Sequence, residues 1–233
     1  MDAVTVGNLA DELVPQIATL PPEERFLLGV PGAGKSWLAK RLVAEIDARL
    51  GPATAVVAPM DGFHLTKAEL AAMPDPALAF ERRGADWTFD VQGFVDMAAR
   101  VKRGEQHPVT AASGPAGRSS SAIAWPGFDH AVGDPVPGSI TILPSHRLVV
   151  VEGLYLALDR QPWSSVAYDA LWLVDVEDWS VARDRLVRRH QEAGIVNSAE
   201  EALARAEGND RTNAELIEAM RRPNVRLLRL ASE

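Results

Sequence analysis

Residues 29–36 read Gly-Val-Pro-Gly-Ala-Gly-Lys-Ser, a complete G-x-x-x-x-G-K-S phosphate-binding loop. The residues before it, Arg25 to Leu28, read as a short apolar strand. Those after it, Lys35 to Leu50, carry Leu38, Leu42, Val43, Ile46 and Leu50 on one helical face. Strand, glycine turn and helix N-terminus form the context in which the motif works. The glycines let successive backbone N–H groups converge on phosphate oxygens, and the helix end adds partial positive charge. Gly29, Pro31, Gly32, Ala33, Gly34, Lys35, Ser36 and Trp37 are thus the expected nucleotide cradle. Lys35 would reach the β- and γ-phosphates, and the Ser36 hydroxyl would bind Mg²⁺. The reading is a chain that binds a nucleoside triphosphate.

Working outward, Ala53 to Ala58 is almost wholly apolar and stops at Pro59, as a strand buried on both faces would. Leu148 to Val151 is a similar strand ending in Glu152-Gly153, and Ala170 to Val174 another, ending in Asp175. Ser139 to Leu143 alternates like a strand, and Val225 to Leu230 closes the chain as one. Helices are expected over 7–20, 91–102, 179–193, 198–206 and 213–222. Residues 65–90 read as irregular or weakly helical. The stretch 104–138 is dense in Gly, Pro and Ser and predicts an irregular region, with a mobile loop at Ala111 to Ala124. Apolar strands alternating with helices predict one α/β domain over residues 1–233, with a mostly parallel sheet and helices on both faces.

Bulk properties narrow the function. The net charge of −8 argues against nonspecific nucleic-acid binding and against an anionic membrane surface. Only 4 of the 24 basic residues are lysine, so Lys35 has few rivals for its role. The absence of cysteine excludes disulfides, thiolate metal sites and cysteine nucleophiles, and fits a reducing compartment. No apolar run approaches the ~20 residues of a membrane span, and no signal segment opens the chain. The expectation is a cytoplasmic protein.

In parallel sheets ligands gather where strands end at their carboxyl edge. Two acids fall at such ends: Asp61 in MDGFH and Glu152 in VVVEGLY. A carboxylate there can bind Mg²⁺ or take a proton from an attacking hydroxyl; its alternative is to cap the next turn. Phosphoryl transfer needs one group to activate the acceptor and one to hold the metal, and the chain has two.

The set of motifs resembles the uridine kinase, pantothenate kinase and phosphoribulokinase superfamily of P-loop kinases. Besides the loop, it is carried by MDGFH (Met60 to His64), ERRGADWTFDVQGF (Glu81 to Phe94) and PGFDHAVGDPVPGSI (Pro126 to Ile140). VVVEGLYL (Val149 to Leu156), RLVRRHQEAG (Arg185 to Gly194) and NDRTNAELI (Asn209 to Ile217) complete it, so that it spans nearly the whole chain. It implies a three-layer P-loop sandwich with a helical lid over about 183–197, ATP and Mg²⁺ as cofactors, and a small-molecule hydroxyl as acceptor. Asp61 would be the general base, Glu152 the Mg²⁺-side carboxylate, and Arg185 and Arg189 lid residues that close over the phosphates. The two arginines lie at i and i+4 and share one helical face, whereas Arg183 and Arg188 read as a solvated face. Dimers are common in the superfamily, so a homodimer is one expected assembly.

Acceptor-side candidates are His64, Arg83, Asp129 and His130, all in irregular segments near the inferred strand ends. Arg83 would hold an acid on the substrate or pair with Glu81. Trp87, Trp125, Trp163, Trp172 and Trp179 read most simply as core or partly buried, and Trp125 and Phe128 are the aromatics expected at an acceptor pocket. Asp86, His130 and Gly133 depart from the family pattern, and all touch the acceptor side. They leave pantothenate-like acids, nucleosides and sugars open as substrates. Two other classes compete with a kinase. Asp90-Val91-Gln92-Gly93 spells the D-x-x-G of a regulatory GTPase switch, yet no N-K-x-D guanine motif occurs and Asp90 reads as a helix cap. An ATP-binding protein without an acceptor is the other, and the joint presence of Lys35, Ser36, Asp61 and Glu152 argues against it.

Overall fold

The computed structural model describes residues 3–32, 34–105, 122–174, 178–192, 194, 196 and 198–231. Ala33, Asp175 and residues 111–121 of the serine-rich stretch lie outside them. Helix α1 (Val6–Ala18) leads into strand β1 (Phe26–Pro31), helix α2 (Lys35–Leu50) and strand β2 (Ala55–Pro59). Short helices α3 (Lys67–Ala71) and α4 (Pro76–Glu81) precede α5 (Val91–Lys102). Strands β3 (Ile123–Asp129), β4 (Asp134–Ile142), β5 (Leu148–Gly153) and β6 (Ala170–Val174) follow. Helices α6 (Trp179–Glu192), α7 (Ala199–Arg205) and α8 (Arg211–Ala219) and strand β7 (Arg226–Leu228) complete the order.

Five strands form one parallel sheet in the order β2-β5-β1-β6-β7. Their unbroken apolar runs have a direct cause: successive side chains point to opposite faces, and both faces are covered. Phe26, Leu28, Val30, Leu148, Val150, Trp172 and Val174 pack with Leu9 and Leu13 of α1 and Leu38, Leu42 and Ile46 of α2. The intervening Leu27, Val149, Val151 and Leu171 pack on the opposite face with Phe94, Ala98 and Val101 of α5. Local signals agree with this packing. Thr5 and Asn8 form a reciprocal cap at the start of α1, and the Asp90 side chain accepts the Gly93 N–H at the start of α5. The expected α/β class with a mostly parallel sheet is the fold observed. Among the described residues no helix is long and apolar enough to cross a membrane.

The expectation of irregular chain over 104–138 needs correction. Residues 123–129 pair antiparallel with 134–142 in a separate two-stranded sheet, with a register shift between Trp125 and Gly127. Pro126, Pro135, Pro137, Gly127 and Gly138 hid the pattern, because they break both alternation and propensity. Strands that pair only with each other tolerate proline at unpaired positions and at a bulge. The stretch 65–90 also contains more order than expected. Thr66 and Glu69 cap α3 reciprocally, and the Asp75 side chain caps α4.

Candidate active site

Strand register assembles the site. Glu152 on β5 aligns with Val30 on one side and with Pro59 on the other. Val30 runs into the phosphate loop, and Pro59 runs into a single 3₁₀ turn over Met60–Phe63 that holds Asp61. The central strand therefore presents its acid between the loop and the second acid. The loop itself turns through Gly32 and Gly34, with φ of +89° and +74°, which glycine adopts without steric cost. Gly34 opens α2 with no side-chain cap, so the first N–H groups of that helix are left for an external acceptor. Ser36 Oγ donates to Glu152 Oε2 at 2.9 Å.

A hydroxyl and a carboxylate at that distance are hard oxygen donors suited to Mg²⁺, which keeps most of its shell as water and phosphate oxygens. Among the described residues no three His, Asp or Glu side chains cluster as a metal cage. An ion at Ser36 and Glu152 would therefore be completed by the nucleotide and water, so the residues present fit the group.

Asp61 is half-buried, and its turn is locked by its neighbours. Gly62 has no room for a side chain: a Cβ there would lie 2.1 Å from the Pro126 carbonyl oxygen. Trp125 Nε1 donates to the Pro59 carbonyl at 2.9 Å, so the β3–β4 hairpin is tied to the end of β2. Trp125 is fully buried against Phe63 and Phe94. It is a core residue, as its simplest reading expects, and its full burial removes it from the acceptor pocket also expected of it. The tether needs an indole N–H beside a strand-end carbonyl, and sequence distance conceals that.

His64 lies next to this turn. Its ring stands 4.0 Å from Phe89 and 4.9 Å from Phe128, centroid to centroid. Its Nδ1 is 2.9 Å from the Asp61 carbonyl oxygen. A carbonyl only accepts, so Nδ1 carries the proton in the neutral ring and Nε2 is left as an acceptor. Burial pushes the pKa of His64 down, partly opposed by the nearby Asp61 carboxylate. Its neutral form is favoured.

The remaining acceptor candidates divide. Arg83 spends its guanidinium inside the protein, donating to Gly133 O at 2.5 Å, Leu65 O at 3.0 Å and Asp134 Oδ1 at 2.9 Å. It also lies 5.6 Å from the Phe128 ring centroid. Its partner is Asp134, and Glu81 is not involved. Asp129 Oδ1 accepts the N–H groups of Ala131 and Val132 at 2.8 and 3.1 Å, closing the hairpin turn. His130 is exposed and meets Phe128 edge-on. Asp86 is buried in an ion pair with Arg160. Trp87, expected to be buried at least in part, stays 42% exposed.

On α6, Arg185 and Arg189 are exposed, and no described contact joins them to the phosphate loop. Arg183 pairs with Asp184 and Glu207, as on a solvated face. His190 on the same helix is buried, with Nε2 2.6 Å from Asp210 Oδ2, and anchors the expected lid to the C-terminal helices. Sequence reasoning missed a second junction beside it. Tyr155 Oη and Asn213 Nδ2 donate to the Gly84 carbonyl, while Arg205 and Asn209 donate to that of Arg83. Most of these residues lie in the motif segments quoted above, but their pairing is invisible there because each meets its partner across the fold.

A glycine-built phosphate loop between strand and helix, with acids at the ends of the neighbouring parallel strands, is the arrangement of a P-loop kinase. No family model matches the sequence. An ATP-dependent kinase-like protein of Aspergillus versicolor, notR′, is 46% identical over 70% of this chain and 90% of its own length. A candidate uridine kinase of Schizosaccharomyces pombe, C227.14, is 34% identical over 94% of this chain and 88% of its own. The crystal structure of a candidate fructose transport system kinase from Silicibacter sp. TM1040 superposes with a TM-score of 0.77 at 30% identity, covering 96% of this chain and 98% of that one. The chain belongs to the uridine kinase-like superfamily of ATP-dependent P-loop kinases.

Proposed function

We propose that this chain transfers the γ-phosphoryl group of ATP to a hydroxyl of a small molecule, with Mg²⁺ as cofactor. The observation that carries the reading is the register-fixed set of Ser36, Glu152 and the Asp61 turn around one strand edge. Lys35 and the bare N–H groups of α2 hold the phosphates, and no described carboxylate pairs with Lys35 to neutralise it. Ser36 and Glu152 hold the ion, which supplies charge neutralisation on the phosphate oxygens. The Asp61 carboxylate takes the acceptor hydroxyl's proton as that oxygen bonds to the γ-phosphorus. The bond from phosphorus to the β–γ bridging oxygen breaks, and ADP leaves. His64 Nε2, which has no hydrogen-bond partner among the described residues, orients a second hydroxyl of the substrate. Arg185 and Arg189 come over the phosphates when the lid closes.

The GTPase-switch reading loses its one motif, since Asp90 serves as the cap of α5. The test is ADP release measured across a panel of polyols, nucleosides and hydroxy acids, with phosphorylated product identified by mass. Acceptor-dependent ADP release that collapses in Asp61→Asn is the expected result. ADP release indifferent to every acceptor and to that substitution would overturn the proposal.

A further inference from the structure

Trp37 follows Ser36 directly, in the first turn of α2. Its neighbours Leu38, Leu42 and Ile46 are fully buried, yet its own side chain is left 42% exposed. An indole in water forfeits much of the hydrophobic gain that burial would bring. Its one described ring contact is Arg41, one turn further on, whose guanidinium carbon lies 5.4 Å from the ring centroid. Helical side chains lean toward the helix N-terminus. The indole therefore tilts toward the end of α2 at which the phosphates bind. A nucleotide with its phosphates in the loop must carry its sugar and base out within one nucleoside length of that end. A base offers two π faces, and a partly exposed indole in the first turn of α2 matches them in shape and chemistry.

We propose that Trp37 is the stacking platform for the nucleotide base, with Arg41 backing the indole from the other side. This rests on the reading that the loop holds a nucleoside triphosphate. Every base has a π face, so the platform supplies affinity and little choice between purines.

Calorimetric titration of Mg-ADP, Mg-GDP and Mg-tripolyphosphate into the intact protein, Trp37→Ala, Trp37→Phe and Lys35→Ala tests it. Trp37→Ala should weaken ADP and GDP alike by about 5- to 150-fold, the equivalent of 1–3 kcal/mol per stacked base, and leave tripolyphosphate unchanged. Trp37→Phe should keep most of the ADP affinity, since it retains a π face. Unchanged ADP affinity in Trp37→Ala would overturn the stacking role. So would an equal loss of ADP and tripolyphosphate, which would place the effect on the phosphate loop. Failure of tripolyphosphate to bind the intact protein, or full ADP affinity in Lys35→Ala, would overturn the nucleotide reading and this inference with it.

Discussion

Ser36 and Glu152 stand 116 positions apart in the chain, and their side chains meet at 2.9 Å. The contact joins the first turn of α2 to the carboxyl end of β5, the place proposed above for a divalent ion. The proposed function gives the two acids different roles, which metal dependence can separate. Glu152→Gln and Ser36→Ala should raise the Mg²⁺ concentration needed for half-maximal turnover and regain activity in excess Mg²⁺. Asp61→Asn should bind nucleotide normally, lose ~10²–10⁴-fold in kcat as expected for a missing general base, and not respond to added Mg²⁺. Mg²⁺ titrations of steady-state rate decide this, and the reverse pattern would exchange the two assignments.

His64 should give the folded protein an acid-side stability slope. Its folded pKa is depressed by burial below the unfolded value of ~6.5. The contribution is therefore present in full above that unfolded value and lost as pH falls toward and through the folded one. His64→Phe keeps a ring between Phe89 and Phe128 but cannot titrate, so its urea midpoint should fall less between pH 6.5 and acid. His146 is shifted down by burial as well and remains in both proteins, so the difference between them isolates His64. The same variant should raise acceptor KM roughly 5- to 13-fold, the worth of one hydrogen bond of about 1–1.5 kcal/mol. Superimposable pH–stability curves would remove His64 as their cause.

Gly62→Ala should damage catalysis without touching nucleotide binding. The new Cβ would fall 2.1 Å from Pro126 O and 2.4 Å from its carbonyl carbon, both backbone atoms, so the hairpin or the Asp61 turn must move. Overpacking of this kind costs about 1–3 kcal/mol. A lower Tm, reduced kcat and unchanged ADP affinity are expected. Wild-type kcat would show that the turn can shift without consequence.

Arg83→Ala should free the hairpin from the turn before α5, because one guanidinium serves Gly133, Leu65 and Asp134 together. The expected loss is about 1.5–3 kcal/mol in urea unfolding, the range for hydrogen bonds to a charged group. Arg83→Lys should recover little of it, since an ammonium lacks the fork that reaches several oxygens at once. Full recovery by lysine would reduce the arginine to a point charge beside Asp134.

How far the sequence carried the structure depends on the range of the interaction. The phosphate loop, α2, α5 and the buried strands follow from short-range causes. Glycine at the turn, apolar residues every three or four positions, and unbroken apolar runs all act within a few residues of each other. Asp90 as a cap and Arg183 as a solvated side chain are of the same kind. The β3–β4 hairpin failed that test, because prolines and glycines erase the local signal and only pairing across the turn organises it. Arg83, Asp129 and Trp125 carried the right chemistry for a pocket, but tertiary partners claimed Arg83 and Trp125 and the hairpin turn claimed Asp129.

By itself, then, the sequence determined the nucleotide end of this protein: the loop, the helix that follows it, and acids after two apolar strands. That end is built from contiguous residues whose conformational preferences act locally. Only the tertiary structure decided that Glu152 is aligned between Val30 and Pro59 and that its carboxylate meets Ser36. It alone left His64 Nε2 without a partner among the described residues while it consumed Arg83. Such outcomes depend on strand register and on which distant group reaches a polar atom first, and neither is encoded within any short stretch of chain.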